Sequence, residues 1–437
     1  MIPTRRFYLL LLLGAPLAVG LALVYPLNWG LGALLAWDLG LLLLGAWDGW
    51  RVRPHRVQIE RDPIARLSIG RDNPIHLTLK TGNRPAVLQI RDFYPQTAGL
   101  TATPALLSGS FPAQQQDTLS YKVCPQRRGD YSWGPIQLRQ LGDWGLVWHN
   151  WRVPQAQTVT VYPDLIGLRA LAIRLALQNT GSLKRARRLG TGTEFAELRE
   201  YSRGDDPRLI DWKASSRRSR LLLRVMEPER EQTLIVLLDG GRLMSAQVQG
   251  LARFDWGLNA ALSLAVAGLN RGDRVGVGVF DRLLHTWMPP ERGQAQLSKL
   301  VERLSPIQPT LQEPDYLGAV TSLTQQQTRR ALVVLLTDLI DKTASAELLS
   351  AMAQLTPRYL PFCVALRDPL IDQQAETVST SVIEGYSRAV ALDLLRQRQV
   401  ALETLKQKGV MILDAPANQI SELLVDRYLQ LKARSQL

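Results

Sequence analysis

Residues 233–239 read Thr-Leu-Ile-Val-Leu-Leu-Asp, an unbroken apolar run that ends in an acid. Residues 251–270 follow with apolar side chains at helical spacing. Further strands are expected at 275–280, 331–336, 361–366 and 409–413, and further helices at 387–408 and 420–433. This alternation predicts a parallel sheet covered by helices on both faces. Because ligand sites in such folds lie at the carboxyl ends of strands, Asp239 and the pair Thr337-Asp338 are the first candidate site residues.

The first fifty residues are expected to form a transmembrane hairpin. Residues 7–24 are almost entirely Leu, Ala, Val and Gly, and a second apolar stretch covers residues 29–47. Each stretch is about long enough to span a bilayer. Arginines flank both ends, so the positive-inside rule predicts a multi-pass plasma (inner) membrane protein whose soluble domains are cytoplasmic. A cleaved signal peptide is the alternative for the first stretch, and the second stretch disfavours it. Asp38 lies in the second stretch, where we expect an interhelix hydrogen bond.

Residues 55–165 are expected to form an all-β domain. Short segments such as 57–59, 76–79, 87–90 and 158–161 alternate in polarity or favour β-branched residues, and turn sequences separate them. About a hundred residues with this spacing predict an immunoglobulin-like β-sandwich. Residues 100–118 are expected to be a surface loop. Four tryptophans in the second half are interpreted as core residues, with a ligand-stacking surface as the alternative: Trp133, Trp144, Trp148 and Trp151.

A strongly charged segment follows the β-rich region. Residues 184–224 hold twelve Lys or Arg against six Asp or Glu. Gly204-Asp205-Asp206-Pro207 is a predicted turn, since glycine permits positive φ and the residue before proline avoids the helical region. Two interpretations stay open: a loop braced by Asp–Arg pairs that packs Trp212 on the α/β core, or a docking surface for a protein partner. The candidate partner-binding residues are Arg199, Tyr201, Gly204, Asp205, Asp206, Arg208, Asp211, Trp212 and Lys213.

Residues 192–215 read GTEFAELREYSRGDDPRLIDWKAS. This stretch resembles the signature of a bacterial membrane-anchored domain-of-unknown-function family whose members carry a von Willebrand factor A-like domain. The resemblance extends to the two N-terminal spans, to Arg127-Arg128-Gly129-x-Tyr131 and to Gly142-Asp143-Trp144-Gly145-Leu146. It implies a transmembrane hairpin in residues 1–54, an all-β sandwich in 55–165, a linker with the signature in 166–231 and a von Willebrand factor A-like α/β doubly wound sheet in 232–437. It also implies partnership with MoxR-type AAA+ ATPases.

The resemblance bears on metal binding at Asp239. Related von Willebrand A domains hold a divalent cation with D-x-S-x-S after the first strand and with a Thr and an Asp on later loops. Here Gly241 and Leu243 stand at the two serine positions, while Asp239 and Asp338 match the acids. Because Mg²⁺ requires near-octahedral oxygen coordination, we expect a vestigial site with no bound metal and no cofactor. Arg242 is expected to add an unfavourable positive charge near the site.

Three classes of function follow from these observations. We expect a membrane-anchored, non-catalytic protein-interaction module that acts as partner or adaptor of a MoxR-type ATPase. The alternative is a metal-dependent hydrolase using Asp239 and Asp338, although the chain carries no G-x-S-x-G, H-E-x-x-H or P-loop motif. The net charge of +13 suits an anionic membrane surface, and without a nucleic-acid reader motif we expect no nucleic-acid partner. Two cysteines, Cys124 and Cys363, exclude a disulfide framework.

Overall fold

A computed structural model describes residues 1–53, 57–64, 66–96, 99–186, 194–202, 205–227, 232–339, 345–378 and 381–433. The chain divides into two compact units, Met1–Tyr162 and Pro163–Leu437. The first unit contains two apolar helices and a β-rich region. The second contains an α/β region.

The first unit begins with strand β1 (Ile2–Pro3) and the helices α1 (Arg5–Val24) and α2 (Leu27–Val52). Both helices have the length and apolar composition of membrane spans, which is weak evidence for anchoring. Each extends beyond the predicted span. The hydrogen bond described between them is donated by Trp37 Nε1 to Leu10 O at 2.9 Å. Within the described part of the chain Asp38 Oδ1 has no hydrogen-bond partner, so Trp37 rather than Asp38 supplies this link.

Eleven further strands build the β-rich region: β2 (Gln58–Arg61), β3 (Leu67–Ser68), β4 (Asn73–Lys80), β5 (Ala86–Asp92), β6 (Thr101–Thr103), β7 (Leu107–Phe111), β8 (Gln116–Cys124), β9 (Gly129–Trp133), β10 (Ile136–Leu141), β11 (Val147–Val153) and β12 (Gln157–Tyr162). They form three sheets, in the orders β1-β11-β10-β5-β7, β2-β4-β8-β6 and β3-β12-β9. Alternating residues such as Leu77, Leu88 and Leu138 are fully buried. The expected all-β region is therefore confirmed at the level of a β-rich unit.

Two details of the β region differ from expectation. Residues 100–118 are not a loop, because they contain β6, β7 and the start of β8. The side chains of β7 alternate between half-buried and exposed, so its small polar residues belong to a solvated strand. Of the tryptophans, Trp133 is fully buried, whereas Trp144 is 42% exposed and packs edge-on against Trp47 of α2 at 5.0 Å between ring centroids. The core interpretation therefore holds for Trp133 and fails for Trp144.

The turn at residues 142–146 joins the helices to the β region. Asp48 of α2 is buried, and its carboxylate accepts hydrogen bonds from the backbone N–H groups of Trp144 (3.0 Å) and Leu146 (3.1 Å). A β-carbon on Gly142 would lie 2.1 Å from Asp48 Oδ2, so only glycine fits there. Strand β1 adds main-chain pairing to β11, with Ile2 opposite Trp148. The helical hairpin is thereby held to one sheet edge by several independent contacts.

The second unit opens with α3 (Leu165–Ala186), β13 (Glu194–Glu200), α4 (Trp212–Arg218) and β14 (Leu222–Glu227). Its α/β part contains β15 (Thr233–Asp239), β16 (Gln247–Val248), β17 (Leu251–Ala252), α5 (Arg253–Asn270), β18 (Arg274–Phe280), β19 (Leu284–Glu291), α6 (Gln294–Leu304), α7 (Tyr316–Gln326), β20 (Leu332–Thr337), α8 (Ala346–Gln354), β21 (Leu360–Arg367), α9 (Pro369–Glu376), α10 (Val382–Gln407), β22 (Met411–Pro416) and α11 (Ile420–Ala433).

The main sheet has the strand order β19-β18-β15-β20-β21-β22. Five of its strands are parallel, as the apolar runs predict, and β15 lies between β18 and β20. The edge strand β19 is antiparallel to β18 and has no counterpart in the sequence prediction. Its two prolines, Pro289 and Pro290, weaken the strand pattern, and prolines are tolerated at a sheet edge. The expected α/β fold is therefore confirmed as a mixed sheet with one antiparallel edge.

Candidate functional site

Asp239 lies at the carboxyl end of the central strand β15 and is fully buried. Its Oδ1 accepts a hydrogen bond from the backbone N–H of Gly241 at 2.7 Å. Its Oδ2 accepts from the hydroxyls of Thr337 (2.6 Å) and Tyr316 (3.0 Å). Burial raises the pKa of the Asp239 carboxyl, and these three donors oppose that rise. The carboxylate is thus enclosed by donors of its own chain.

Asp338 follows the neighbouring strand β20 and is held by two arginines. Arg253 Nη1 donates to Asp338 Oδ2 at 2.7 Å, and Arg398 Nη1 donates to Asp338 Oδ1 at 2.8 Å. Arg398 also pairs with Asp414 at 3.0 Å. Burial lowers the pKa of Arg398, but Asp338 and Asp414 attract its charge and raise that pKa overall. Each oxygen of Asp338 therefore already has a cationic partner, which disfavours an additional metal ion.

The segment 310–315 closes over the turn that follows Asp239. Thr310 N–H donates to Gly240 O at 2.7 Å, and Arg242 N–H donates to Gln312 O at 2.8 Å. A β-carbon at Gly241 would approach Pro314 Cδ to 2.8 Å, so the position expected for a serine ligand has no room for a side chain. Arg242 forms an exposed ion pair with Glu313 at 2.7 Å. Arg242, which was expected to add a positive charge near Asp239, has its charge paired with Glu313, and the cations that contact Asp338 are Arg253 and Arg398.

A third acid, Asp281, follows strand β18 and binds the same segment. Thr310 Oγ1 donates to Asp281 Oδ2 at 2.8 Å, and His285 Nε2 contacts Asp281 Oδ1. Burial raises the pKa of Asp281, but hydrogen bonds from Thr310, Leu283 and His285 outweigh it and hold the pKa below its usual range. Leu243, at the second serine position, is half-buried and offers no oxygen ligand from its side chain. The hydroxyl of Thr310 therefore donates to Asp281 rather than to Asp239.

These acids do not assemble into a coordination shell. No group of three or more His, Cys, Asp or Glu side chains able to share a metal ion is found in the portion of the chain that the structure describes. The oxygens that approach Asp239 are the hydroxyls of Tyr316 and Thr337, and both donate a proton to it. A neutral hydroxyl can ligate Mg²⁺, and here both hydroxyls form hydrogen bonds to Asp239 Oδ2.

The signature segment forms a two-stranded hairpin of β13 and β14, with residues 201–221 as their connection, of which 201–202 and 205–221 are described. A 3-10 turn at Pro207–Leu209 and helix α4 lie in this connection. Asp206 caps the turn and Asp211 caps α4, because their side chains accept from the N–H groups of Arg208 (2.9 Å) and Ala214 (3.0 Å). The hairpin is therefore stabilised by capping aspartates whose spacing follows from the sequence. Gly204 lies outside the described residues.

Asp–Arg pairs brace this hairpin, as one of the two sequence interpretations expects. Arg199 Nη2 binds Asp205 at 2.6 Å, and Arg224 Nη2 binds Asp211 at 2.7 Å. Tyr201 OH donates weakly to Asp205 O at 3.4 Å. The hydrogen bond from Arg199 is the main reason that the pKa of Asp205 is lowered, and the N–H of Ala214 followed by Arg224 lowers that of Asp211. Asp205 and Asp211 therefore bind arginines of their own hairpin.

Other members of the signature face solvent. Trp212 is 67% exposed, and Arg208 and Lys213 are exposed as well. The interpretation in which Trp212 packs on the α/β core is therefore wrong, because Trp212 lies in the first turn of α4 and its indole ring is exposed to solvent. Arg217 and Arg218 continue the basic surface along α4. We call Arg208, Trp212, Lys213, Arg217 and Arg218 the Trp212 surface.

Sequence reasoning misses three residues that decide the chemistry around Asp239 and Asp338, namely Arg253, Tyr316 and Arg398. Thr337, which was singled out together with Asp338, does donate to Asp239. Arg253 and Arg398 lie on helices α5 and α10, where a charged residue usually faces solvent. A signal does exist for Arg398, because it stands at helical spacing from Ala391, Ala401 and Leu405, the residues that form the buried face of α10.

Comparisons with known proteins place this region in context. The family model described as "Protein of unknown function DUF58" matches residues 197–397. Residues 197–397 are therefore similar to that family. The uncharacterized proteins Rv1480 of Mycobacterium tuberculosis and Mb1516 of Mycobacterium bovis are each 24% identical over 153 residues, which is 35% of this chain and 48% of theirs. The chain thus spans about half the length of these relatives. The matched residues include most of the signature hairpin together with Asp239 and Asp338.

Solved structures give weaker likenesses. The conserved hypothetical protein BatB from Bacteroides thetaiotaomicron aligns at 13% identity with a TM-score of 0.33, over 46% of this chain and 99% of that one. The CARDB domain of the PF1109 protein from Pyrococcus furiosus aligns at 13% identity with a TM-score of 0.18, over 25% of this chain and 96% of that one. These scores are too low to carry a functional argument for this chain.

Proposed function

We propose that the protein is a membrane-anchored, non-catalytic protein-interaction module whose α/β unit docks a MoxR-type AAA+ ATPase. The observation that carries the proposal is the Trp212 surface, a largely exposed tryptophan within an exposed basic surface. Large exposed aromatic and arginine side chains are the residues that contribute most binding energy at protein interfaces. The von Willebrand factor A-like character of the fold and the ATPase partner rest on the sequence resemblance.

Some charged residues of the signature pair with one another while others face solvent, and this difference supports the proposal. Asp205 and Asp211 neutralise Arg199 and Arg224 within the hairpin, whereas the cations of the Trp212 surface have no ion-pair partners among the described residues. A rigid hairpin with an unneutralised basic face suits an acidic partner surface with an apolar pocket for the indole ring. The partner chemistry is therefore an acidic face, and the carboxylates act indirectly by holding the hairpin in shape.

The closed surroundings of Asp239 support a non-catalytic role. A hydrolytic metal centre keeps at least one coordination position open to water or substrate. Asp239 is instead enclosed by Gly241, Tyr316 and Thr337, and Asp338 by two arginines. The metal-dependent hydrolase stays an untested alternative, and hydrolysis of a phosphate or carboxylic ester by the purified chain, abolished by Asp239→Asn, would revive it.

Copurification tests the docking proposal. The full chain, carrying a C-terminal tag, is crosslinked in its native host, solubilised in mild detergent and purified, and the proteins recovered with it are identified and quantified. We expect a near-stoichiometric AAA+ ATPase with the wild-type chain and at least a tenfold loss with Trp212→Ala or Lys213→Glu. The matched control is Tyr386→Ala, which removes another exposed aromatic ring from the same unit. Full recovery of the ATPase with both Trp212 surface variants would refute the assignment.

A further inference from the structure

The outer face of the sheet β1-β11-β10-β5-β7 carries arginines on three neighbouring strands. Gln137 of β10 lies opposite Arg91 of β5 on one side and Arg152 of β11 on the other. Arg139 lies two residues further along β10, which places it diagonal to Arg91 at about 7–8 Å. The residues between them in sequence, such as Ile90 and Leu138, are buried on the opposite face. The three guanidinium groups therefore share one solvent-facing surface.

These three arginines are not neutralised by acids. Elsewhere in the same unit, Arg61 pairs with Asp92 and Arg84 pairs with Asp143. Among the residues that the structure describes, Arg91, Arg139 and Arg152 have no carboxylate partner. Because like charges on one surface repel one another, a bound anion would relieve the repulsion among these arginines.

Aromatic contacts fix part of the arrangement. The guanidinium carbons of Arg91 and Arg152 lie over the ring of Phe93, at 5.3 and 5.7 Å from its centroid. Such cation–π contacts orient the guanidinium groups without neutralising their charge. Gln137 is held as well, because its side-chain nitrogen donates to Asn150 at 2.9 Å. The surface is therefore ordered before any ligand arrives, which lowers the entropic cost of binding.

A cleft of about 320 Å³ opens on this face. Its polar lining includes Arg91, Arg139, Gln89 and Gln137, and its apolar lining includes Phe93, Tyr94 and Leu106. Asp92 also borders the cleft, but its carboxylate is already bound to Arg61 and Tyr121 in the protein interior. The volume lies at the lower end of the range for small-molecule sites. Arg152 does not line the cleft, although it belongs to the same face.

We propose that this cleft is a binding site for a phosphate group, carried by a small phosphate ester or a diphosphate. Two guanidinium groups match the double negative charge of a phosphate monoester, whereas a single carboxylate would neutralise only one. The amide groups of Gln89 and Gln137 can provide further donors, and the rings of Phe93 and Tyr94 offer a surface for the remainder of the ligand. The proposal does not depend on the Trp212 surface or on an ATPase partner.

The test uses the full chain in nanodiscs and inorganic pyrophosphate as the probe. Binding is measured by isothermal titration calorimetry in neutral phosphatidylcholine nanodiscs, at 50 and 300 mM salt. We expect saturable binding that weakens at the higher salt, and about tenfold weaker binding for Arg91→Gln and for Arg139→Gln. The matched control is Arg152→Gln, which removes the same charge from the same sheet face outside the cleft and should change the affinity less than threefold.

A second arm distinguishes the source of the phosphate. Nanodiscs that contain phosphatidylglycerol are titrated in the same way. If the native ligand is a lipid headgroup, the anionic lipid competes and the apparent affinity for pyrophosphate falls in the wild-type chain but not in Arg91→Gln. An unchanged affinity assigns the site to a soluble phosphate ester. Absence of saturable binding at millimolar pyrophosphate, or equal losses in Arg91→Gln and Arg152→Gln, would overturn the proposal.

Discussion

Replacement of Tyr316 by phenylalanine tests whether Asp239 depends on donors of its own chain. The change removes the hydroxyl that donates to Asp239 Oδ2 at 3.0 Å and lies 3.0 Å from Thr337 Oγ1. The aromatic ring and its edge-on contact with Phe280, at 5.7 Å between centroids, are retained. The variant therefore isolates the hydrogen bond from the packing of the side chain.

The expected loss of folding stability follows from the removal of a hydrogen bond to the buried carboxylate of Asp239. A hydrogen bond to a charged acceptor contributes about 1.5–3 kcal/mol. For a unit of this size a loss of 1 kcal/mol lowers the melting temperature by roughly 2–4 °C, so Tyr316→Phe should lower it by roughly 3–12 °C at pH 8. Thermal unfolding of the full chain in detergent micelles, followed by intrinsic fluorescence, measures the shift. Tyr386→Phe is the control, because Tyr386 is 76% exposed and its loss should change nothing.

The pH dependence of this penalty has a defined sign. Burial raises the pKa of Asp239 above its unfolded value, so the carboxyl group of the folded chain binds a proton at a pH where the unfolded chain has lost it. The stabilisation that comes from Asp239 is therefore fully present at a pH below the pKa that Asp239 has in the unfolded chain. It is lost as the pH rises through the higher pKa that Asp239 has in the folded chain. Loss of the Tyr316 hydroxyl raises the folded pKa further. The penalty of Tyr316→Phe should thus shrink as the pH falls, and a penalty that grows toward acid pH, or none at all, would refute this account.

Three further perturbations have expected outcomes. Gly241→Ser should lower the melting temperature, at a cost of about 1–3 kcal/mol, because its β-carbon would lie 2.8 Å from Pro314 Cδ; an unchanged melting temperature would contradict the closed turn. Arg398→Met should cost about 3–5 kcal/mol in thermal unfolding, since it leaves two aspartates short of a cation, whereas exposed Arg396→Met should cost almost nothing. Asp48→Ala should speed amide hydrogen exchange in peptides covering residues 142–148; unchanged exchange would contradict its bonds to that turn.

Much of the architecture follows from local sequence pattern. The run 233–239 forms strand β15 with the predicted bounds, and α11 also begins and ends where its apolar spacing predicts. Continuous apolar strands and helical periodicity are strong local signals because every residue of the element repeats them. Strand β19 was missed, since its polar and proline-containing sequence makes sense only next to β18 at the sheet edge.

The site was predictable only in part. The aspartates of the signature were expected to pair with arginines, and short sequence separations place Arg199 within reach of Asp205. By contrast, Arg253 and Arg398 lie 85 and 60 positions away from Asp338 along the chain. Contacts of that separation are set by the packing of α5 and α10 against the sheet, which no local pattern encodes. The two arginines that hold Asp338 were therefore not anticipated, and the cation that was expected near Asp239, Arg242, pairs with Glu313.

The pairing of β1 with β11 can form only after most of the first unit has been synthesised. Ile2 is made about 146 residues before its partner Trp148, which is roughly 7–30 s at translation rates of about 5–20 residues per second. During that interval both helices and most of the β region exist, while Phe7 and Leu41 still lack Leu146 and Val147, the residues that bury them. Strand β1 therefore has no partner strand, and Phe7 and Leu41 lack these contacts, until residues 146–148 have been made. A truncation before residue 148 would make that loss permanent.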